Sequence, residues 1–208
     1  MYTKKPNLDS TISYYDNAVD NLIPSYETAD MSRLHTFLLA HLSPQSKVLD
    51  IGFGSGRDLA FLKNNNFDIW GIDPSQKFVD HAKKRFPNIS DHFFTTSLPN
   101  LDIPKELLHT FDSIILIAVW MHLPKDVYKQ AIKSLCTLLK PTGKIILSYS
   151  VTPRTGETER FFEHVDSNML QTLFERHGYT KVDTIKNKDG LGEREIIWVT
   201  EAYSYDKL

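Results

Sequence analysis

The run Phe111-Asp-Ser-Ile-Ile-Leu-Ile-Ala-Val119 shows almost no alternation of apolar and polar residues. A strand with one wet face alternates; a continuous apolar run belongs to a strand covered on both faces, as in a parallel sheet between two helical layers. Shorter strand-like runs occur at Lys47–Gly52, Phe67–Asp73, Asp91–Ser97 and Gly143–Ser150, the last entered through a Pro141-Thr-Gly143 turn. Between them the apolar residues take helical spacing. Leu34, Phe37, Leu38 and Leu42 form one such face, closed by Ser43-Pro44. Arg57 to Lys63 forms another helix. A third begins at Pro74 and presents Phe78, Ala82 and Phe86. Pro124 to Leu139 and Asp166 to His177 complete the set, the latter capped by Asp166 or Ser167 and stopped by Gly178. Two final strands, Tyr179–Lys186 and Arg194–Ala202, flank Asp189-Gly190 and Gly192, a hairpin signature. This order predicts an α/β fold: a doubly wound, mostly parallel seven-stranded sheet with helices on both faces and a C-terminal antiparallel hairpin. The 208 residues suit a single domain, with 1–46 as an N-terminal lid or helical segment and 47–208 as the core.

Composition removes several function classes. One Cys allows neither an internal disulfide nor a multi-thiolate zinc site, and no other metal site is expected. With 24 Lys+Arg against 26 Asp+Glu, nothing draws the chain to nucleic acid or an anionic membrane. The N-terminus lacks the apolar core of a signal peptide, and no apolar run approaches the ~20 residues that span a bilayer. The expectation is a soluble, cytoplasmic protein with a small-molecule partner; its oligomeric state stays open.

Ligands of doubly wound sheets sit beyond the carboxyl ends of the strands. There, after the first strand, stands Asp50-Ile-Gly52-Phe-Gly54-Ser-Gly56-Arg57-Asp58. Its glycines miss the dinucleotide spacing, because the third position would be Arg57 or Leu59, and the Gly-Lys-Ser/Thr of a P-loop is absent.

Val48-Leu-Asp-Ile-Gly-Phe-Gly-Ser-Gly56 resembles motif I of the class I methyltransferases that use S-adenosylmethionine, and the resemblance runs from about Lys47 to Tyr203. Asp73 matches that family's ribose-binding acid at the end of the second strand, with Pro74 beside it. Leu138 to Leu147 resembles the segment leading into the family's fifth strand. The resemblance implies that Gly52, Phe53, Gly54 and Gly56 line the methionine portion of the cofactor and that Asp50 holds its amino group. Arg57 would pair with the cofactor carboxylate or with Asp58. Thr96, with Ser97 and Leu98, stands where many relatives place an adenine-binding Asp. Ile117 and Ala118 would flank the cofactor.

Ala118-Val-Trp-Met-His-Leu-Pro124 resembles the ubiquinone/menaquinone-biosynthesis-type branch, which would point Trp120 and His122 into an acceptor pocket. The alternatives are core packing for Trp120 and a backbone-bonded His122. Tyr14, Tyr15 and Tyr26 suggest a segment folded over the cofactor and acceptor, or a helix packed on the sheet edge. Methyl transfer is a direct displacement that needs alignment above all. An oxygen acceptor also benefits from a base, for which His122 is the first candidate and His164 the second. A methyltransferase acting on tRNA or protein, and a non-catalytic cofactor-binding protein, are the competing functions.

Overall fold

The computed structural model describes residues 6–153, 159–192 and 195–205. Its strands are β1 (Lys47–Ile51), β2 (Asp68–Asp73), β3 (Phe93–Thr95), β4 (Phe111–Ile117), β5 (Leu139–Ser150), β6 (Tyr179–Lys188) and β7 (Ile197–Tyr205). They form one seven-stranded sheet in the order β3-β2-β1-β4-β5-β7-β6. The first five pair in parallel, whereas β7 runs antiparallel to both β5 and β6. The helices are α1 (Leu8–Glu27), α2 (Ser32–His41), α3 (Arg57–Asn64), α4 (Gln76–Arg85), α5 (Tyr128–Leu138) and α6 (Ser167–Glu175).

Alternate residues of the central strands feed the two helical layers. Ile114 and Leu116 of β4 pack with Leu135 of α5 and Phe174 of α6. Ile115 packs with Leu38 of α2, Leu59 of α3 and Val79 of α4. All three β4 residues are fully buried, the reason the run carries no polar alternation. Among the described residues, no helix is long and apolar enough to cross a membrane.

Several boundaries differ from the sequence expectation for local physical reasons. The start of α4 is capped by Ser75, whose hydroxyl accepts the Phe78 N–H at 3.3 Å; Pro74 precedes the cap. β3 is short because Pro87–His92 winds into a 3₁₀ turn before it. The helix expected from Pro124 opens with a 3₁₀ turn at Lys125–Val127. β5 begins at Leu139, which pairs with Phe111; its register then jumps to Ser113↔Lys144, so the Pro141–Gly143 turn becomes an irregularity within the strand. Asp166 caps α6, and Gly178 takes φ +82° just beyond it. The expected start of the last strand, Arg194, lies outside the described residues.

The N-terminal segment is helical. Asn7 and Ser10 form a reciprocal capping box at the start of α1. Asp16 ties the helix to the sheet's carboxyl end, accepting the Ser75 hydroxyl at 2.7 Å and the Lys77 N–H at 3.3 Å. Glu27 accepts from Ser55 and Arg85, each at 2.8 Å.

Candidate active site beneath the N-terminal helix

A cavity of about 350 Å³ lies between α1 and the carboxyl ends of the parallel strands. One half is built from the turns after β1 and β2. Gly52 adopts φ +75°, and a Cβ there would run into Val119, so the close approach of these two strand ends requires glycine. The Gly52 N–H donates to Ile72 O at 2.6 Å. Asp73 accepts the Gly54 N–H and the Ser75 N–H, each at 2.9 Å, one on each carboxylate oxygen. Each oxygen has a second lone pair, so a vicinal diol can still be received. Burial pushes Asp73 up to about 6, against the opposing pull of those two N–H groups.

Asp50 is 1% exposed, and its Oδ1 has no hydrogen-bond partner. Burial, reinforced by the neighbouring Asp58 and Asp73 carboxylates, pushes it well above the usual carboxylate range. An orphaned buried carboxylate oxygen suits a cationic ligand group, which would pair with it and restore its charge. Asp58 behaves oppositely. Burial raises it, but His35 at 2.8 Å and Arg57 together outweigh that and hold it at about 2. Arg57 grips Asp58 with Nε at 3.1 Å and Nη2 at 2.8 Å, and its Nη1 reaches the Tyr26 carbonyl at 3.1 Å.

Phe53, Pro74, Thr96, Ser97, Leu98, Ile117 and Ala118 also line the cavity, whereas Gly56 lies behind the loop as the N-cap of α3. The Thr96 hydroxyl is engaged within its own loop, accepting the Asp102 N–H at 3.0 Å. Ala118 has φ +62°, which orients the chain leaving β4.

The other half is assembled from three distant segments. His122 places Nδ1 2.7 Å from the Phe161 carbonyl and Nε2 2.9 Å from the Tyr15 hydroxyl. A carbonyl only accepts, so Nδ1 carries the proton, and in the neutral ring Nε2 accepts from Tyr15. Arg160 Nη1 in turn donates to the Tyr15 oxygen at 3.3 Å. Residues 159–163 are stitched to both neighbours. Ser10 Oγ donates to Glu159 O at 2.9 Å, Phe161 N to Thr11 Oγ1 at 2.7 Å, and Glu163 N to Met121 O at 2.7 Å.

Tyr14, Tyr15 and His122 therefore line the cavity together. Trp120 does not: it is fully buried in the core, its ring 5.0 Å from Tyr128 and 6.0 Å from Phe174. Two residues before His122 in the same 3₁₀ turn, it sends its side chain to the α5–α6 layer instead. His164 is exposed and lies outside the cavity lining. Arg160 and Phe162, both in the lining, carry no sequence signal, because residues 159–166 show neither periodicity nor motif.

A family model described as a methyltransferase domain matches residues 25–184. The chain belongs to that methyltransferase family. An uncharacterized methyltransferase of Alkaliphilus oremlandii is 27% identical over 170 residues, covering 80% of this chain and 73% of the relative. A tRNA N(3)-methylcytidine methyltransferase of Schizosaccharomyces pombe is 32% identical over 117 residues, 52% of this chain and 38% of its own. Among solved structures, a 1,6-didemethyltoxoflavin-N1-methyltransferase of Burkholderia thailandensis, with bound 1,6-didemethyltoxoflavin and S-adenosylhomocysteine, superposes with a TM-score of 0.77. It covers 96% of this chain and 88% of its own at 18% identity, a likeness of fold. The methyltransferase match begins at residue 25 and so leaves out Tyr14 and Tyr15, the part of the cavity wall that α1 supplies.

Proposed function

We propose that the protein transfers a methyl group from S-adenosylmethionine to a small-molecule acceptor by direct displacement. The observation that carries this reading is one cavity that joins the glycine loop, Asp50 and Asp73 to the Tyr15–His122 couple under α1. S-adenosylmethionine supplies an activated methyl group on a sulfonium. Asp50, buried and unpartnered at Oδ1, would hold its amino group, and Asp73 its ribose hydroxyls. The glycine-loop backbone would lie against the methionine portion, with Ile117 and Ala118 flanking it. Thr96, Ser97 and Leu98 would border the adenine.

His122 serves as the base for an acceptor that must lose a proton. Because its Nε2 is engaged by Tyr15, the proton passes to the Tyr15 oxygen as Tyr15 gives its own to His122. The Phe161 carbonyl fixes the tautomer that makes this possible. Segment 1–46, with α1 as its first helix, acts as a lid over the 47–208 core. It excludes water from the reacting centre and is held shut by Asp16 and Glu27.

A chamber walled by a helix and two loops favours a small acceptor over a tRNA or protein surface, and the formal charge of −2 supplies no basic stripe for phosphates. The Ala118–Pro124 segment resembles the ubiquinone/menaquinone-type branch and brings His122, though not Trp120, to the cavity; a cytoplasmic location suits such chemistry. Incubation of the full chain with methyl-labelled S-adenosylmethionine and a metabolite extract tests the reading. Label in the low-mass fraction is expected. Label only in tRNA or protein supports a macromolecular acceptor, and S-adenosylhomocysteine binding without any transfer supports a non-catalytic protein.

A further inference from the structure

Beyond β4, on the side away from the glycine loop, the cavity wall carries polar groups that methyl transfer itself gives no task. Ile146 of β5 and Ala202 of β7 are paired and pack into the layer of α2, α3 and α4. Two residues along each strand, on the same face, stand Ser148 and Thr200, again directly paired. Ile185 of β6 pairs with Thr200, and Asn187 lies two residues beyond it on that face. Ser148, Thr200 and Asn187 all line the cavity. Ile117 of β4 pairs with Ser148, so this row runs outward from the strand end beside the cofactor half. Thr200 stands two strand spacings, about 10 Å, from β4.

Thr200 is 1% exposed, and among the described residues nothing pairs with its hydroxyl. Valine would fill the same volume on a buried strand without burying a hydroxyl. Ser148 Oγ accepts the Ala118 N–H at 3.3 Å, which leaves its own proton to give. Asn187 Nδ2 donates to the Lys188 carbonyl at 3.1 Å. A carbonyl only accepts, so the orientation of the side-chain amide is fixed, and Asn187 Oδ1 is left buried without a partner. The row therefore offers two hydroxyl protons and one carbonyl oxygen, and no charge. Unpaired groups of this kind are rare in protein interiors, and here they lie in the wall of a ligand cavity. A neutral amide completes them: its carbonyl receives a hydroxyl proton and its N–H gives to Asn187 Oδ1. A carboxylate has no proton for that oxygen, and an amidinium would bury a full charge against neutral dipoles.

We propose that Thr200, with Ser148 and Asn187, forms a subsite for a neutral amide group at the end of the acceptor remote from the methylated atom. The inference rests on the methyl-transfer reading above and names one group that its acceptor carries. These three residues orient the acceptor and move no proton.

The probes are benzamide, benzoate and benzamidinium, which share one shape and carry no charge, a negative charge and a positive charge. Each is titrated into the full chain saturated with S-adenosylhomocysteine, so that the cofactor half is filled, and followed by calorimetry. Benzamide should bind at least about tenfold more tightly than either charged analogue. Thr200→Val keeps the shape and removes the hydroxyl; it should weaken benzamide about five- to tenfold, the worth of one neutral hydrogen bond. Thr200→Ser, which keeps the hydroxyl, should stay within about threefold of the unaltered chain, and Asn187→Leu should match Thr200→Val. S-adenosylhomocysteine affinity should be unchanged in all three. The inference is overturned if benzamide fails to bind, if either charged analogue binds equally well, or if Thr200→Val and Asn187→Leu leave benzamide affinity unchanged. It is also overturned if those variants lose S-adenosylhomocysteine affinity to the same extent. Failure of the unaltered chain to bind S-adenosylhomocysteine is a different result, and it overturns the methyl-transfer reading itself.

Discussion

The two halves of the cavity are built in opposite ways. The glycine-loop half comes from two consecutive strand–turn–helix units, and its contacts are largely backbone groups held by a parallel sheet. The Tyr15–His122 half has no local origin: Tyr15 and His122 are 107 positions apart, and Thr11 and Phe161 are 150 apart. The first half is held by the ladder between β1 and β2. The second exists only while α1, residues 119–123 and residues 159–163 are docked together. A shared cofactor can be served by a fixed cradle, whereas an acceptor that differs between relatives is better served by segments that can change without disturbing the sheet.

If the halves are separable, variants in each should affect different measurements. Tyr15→Phe and His122→Ala should lower kcat about 10²–10⁴-fold, the usual worth of a positioned base, while S-adenosylhomocysteine affinity changes by less than about threefold. A His122→Ala enzyme with unchanged kcat across pH would remove His122 from the chemistry. Equal losses in cofactor affinity would break the comparison. Gly52→Ala should do the reverse. The positive φ and the collision with Val119 together cost about 2–4 kcal/mol, read as a lower urea midpoint, with cofactor affinity falling alongside. Asp73→Asn should weaken S-adenosylhomocysteine about a hundredfold in calorimetry, because a charged acceptor is lost from two hydroxyl contacts.

The pH dependence sharpens the same contrast. Asp73 sits at about 6 in the folded chain against an ordinary 3.8. Between those values the folded chain binds more protons than the unfolded one, so its stability without cofactor should fall as pH rises from about 4 to about 6. Asp50 pushes in the same direction. S-adenosylhomocysteine needs both carboxylates ionised, so its binding should release protons and tighten as pH rises through 6, seen as a buffer-dependent heat. Asp58, held at about 2, contributes oppositely: its stabilisation is complete above about pH 4 and is lost as pH falls toward 2. The smallest effect is expected at Ala118, where glycine would relieve the left-handed backbone; Ala118→Gly should raise stability by at most about 1 kcal/mol in urea unfolding.

The same division explains what could be read before the structure. Strand and helix order follows from apolar spacing, and the cradle follows because Gly52, Gly54 and Asp73 lie in short contiguous motifs at strand ends. Trp120 and His122 share one segment, yet one turns into the core and the other into the cavity. That choice depends on how a 3₁₀ turn packs against α5 and α6, which no local pattern encodes. Arg160 was invisible for a related reason. Its place in the cavity wall is shared with three rings, two of them on a helix at the other end of the chain. The Thr96 hydroxyl illustrates a third limit, since its loop partner Asp102 lies six positions on in an irregular stretch.

The central claim is that this cavity takes S-adenosylmethionine, and calorimetry of the full chain tests it most directly. Titration with S-adenosylmethionine and with S-adenosylhomocysteine should give saturable heat at one site per chain, with proton release at pH 6. The absence of heat with both ligands would contradict the account.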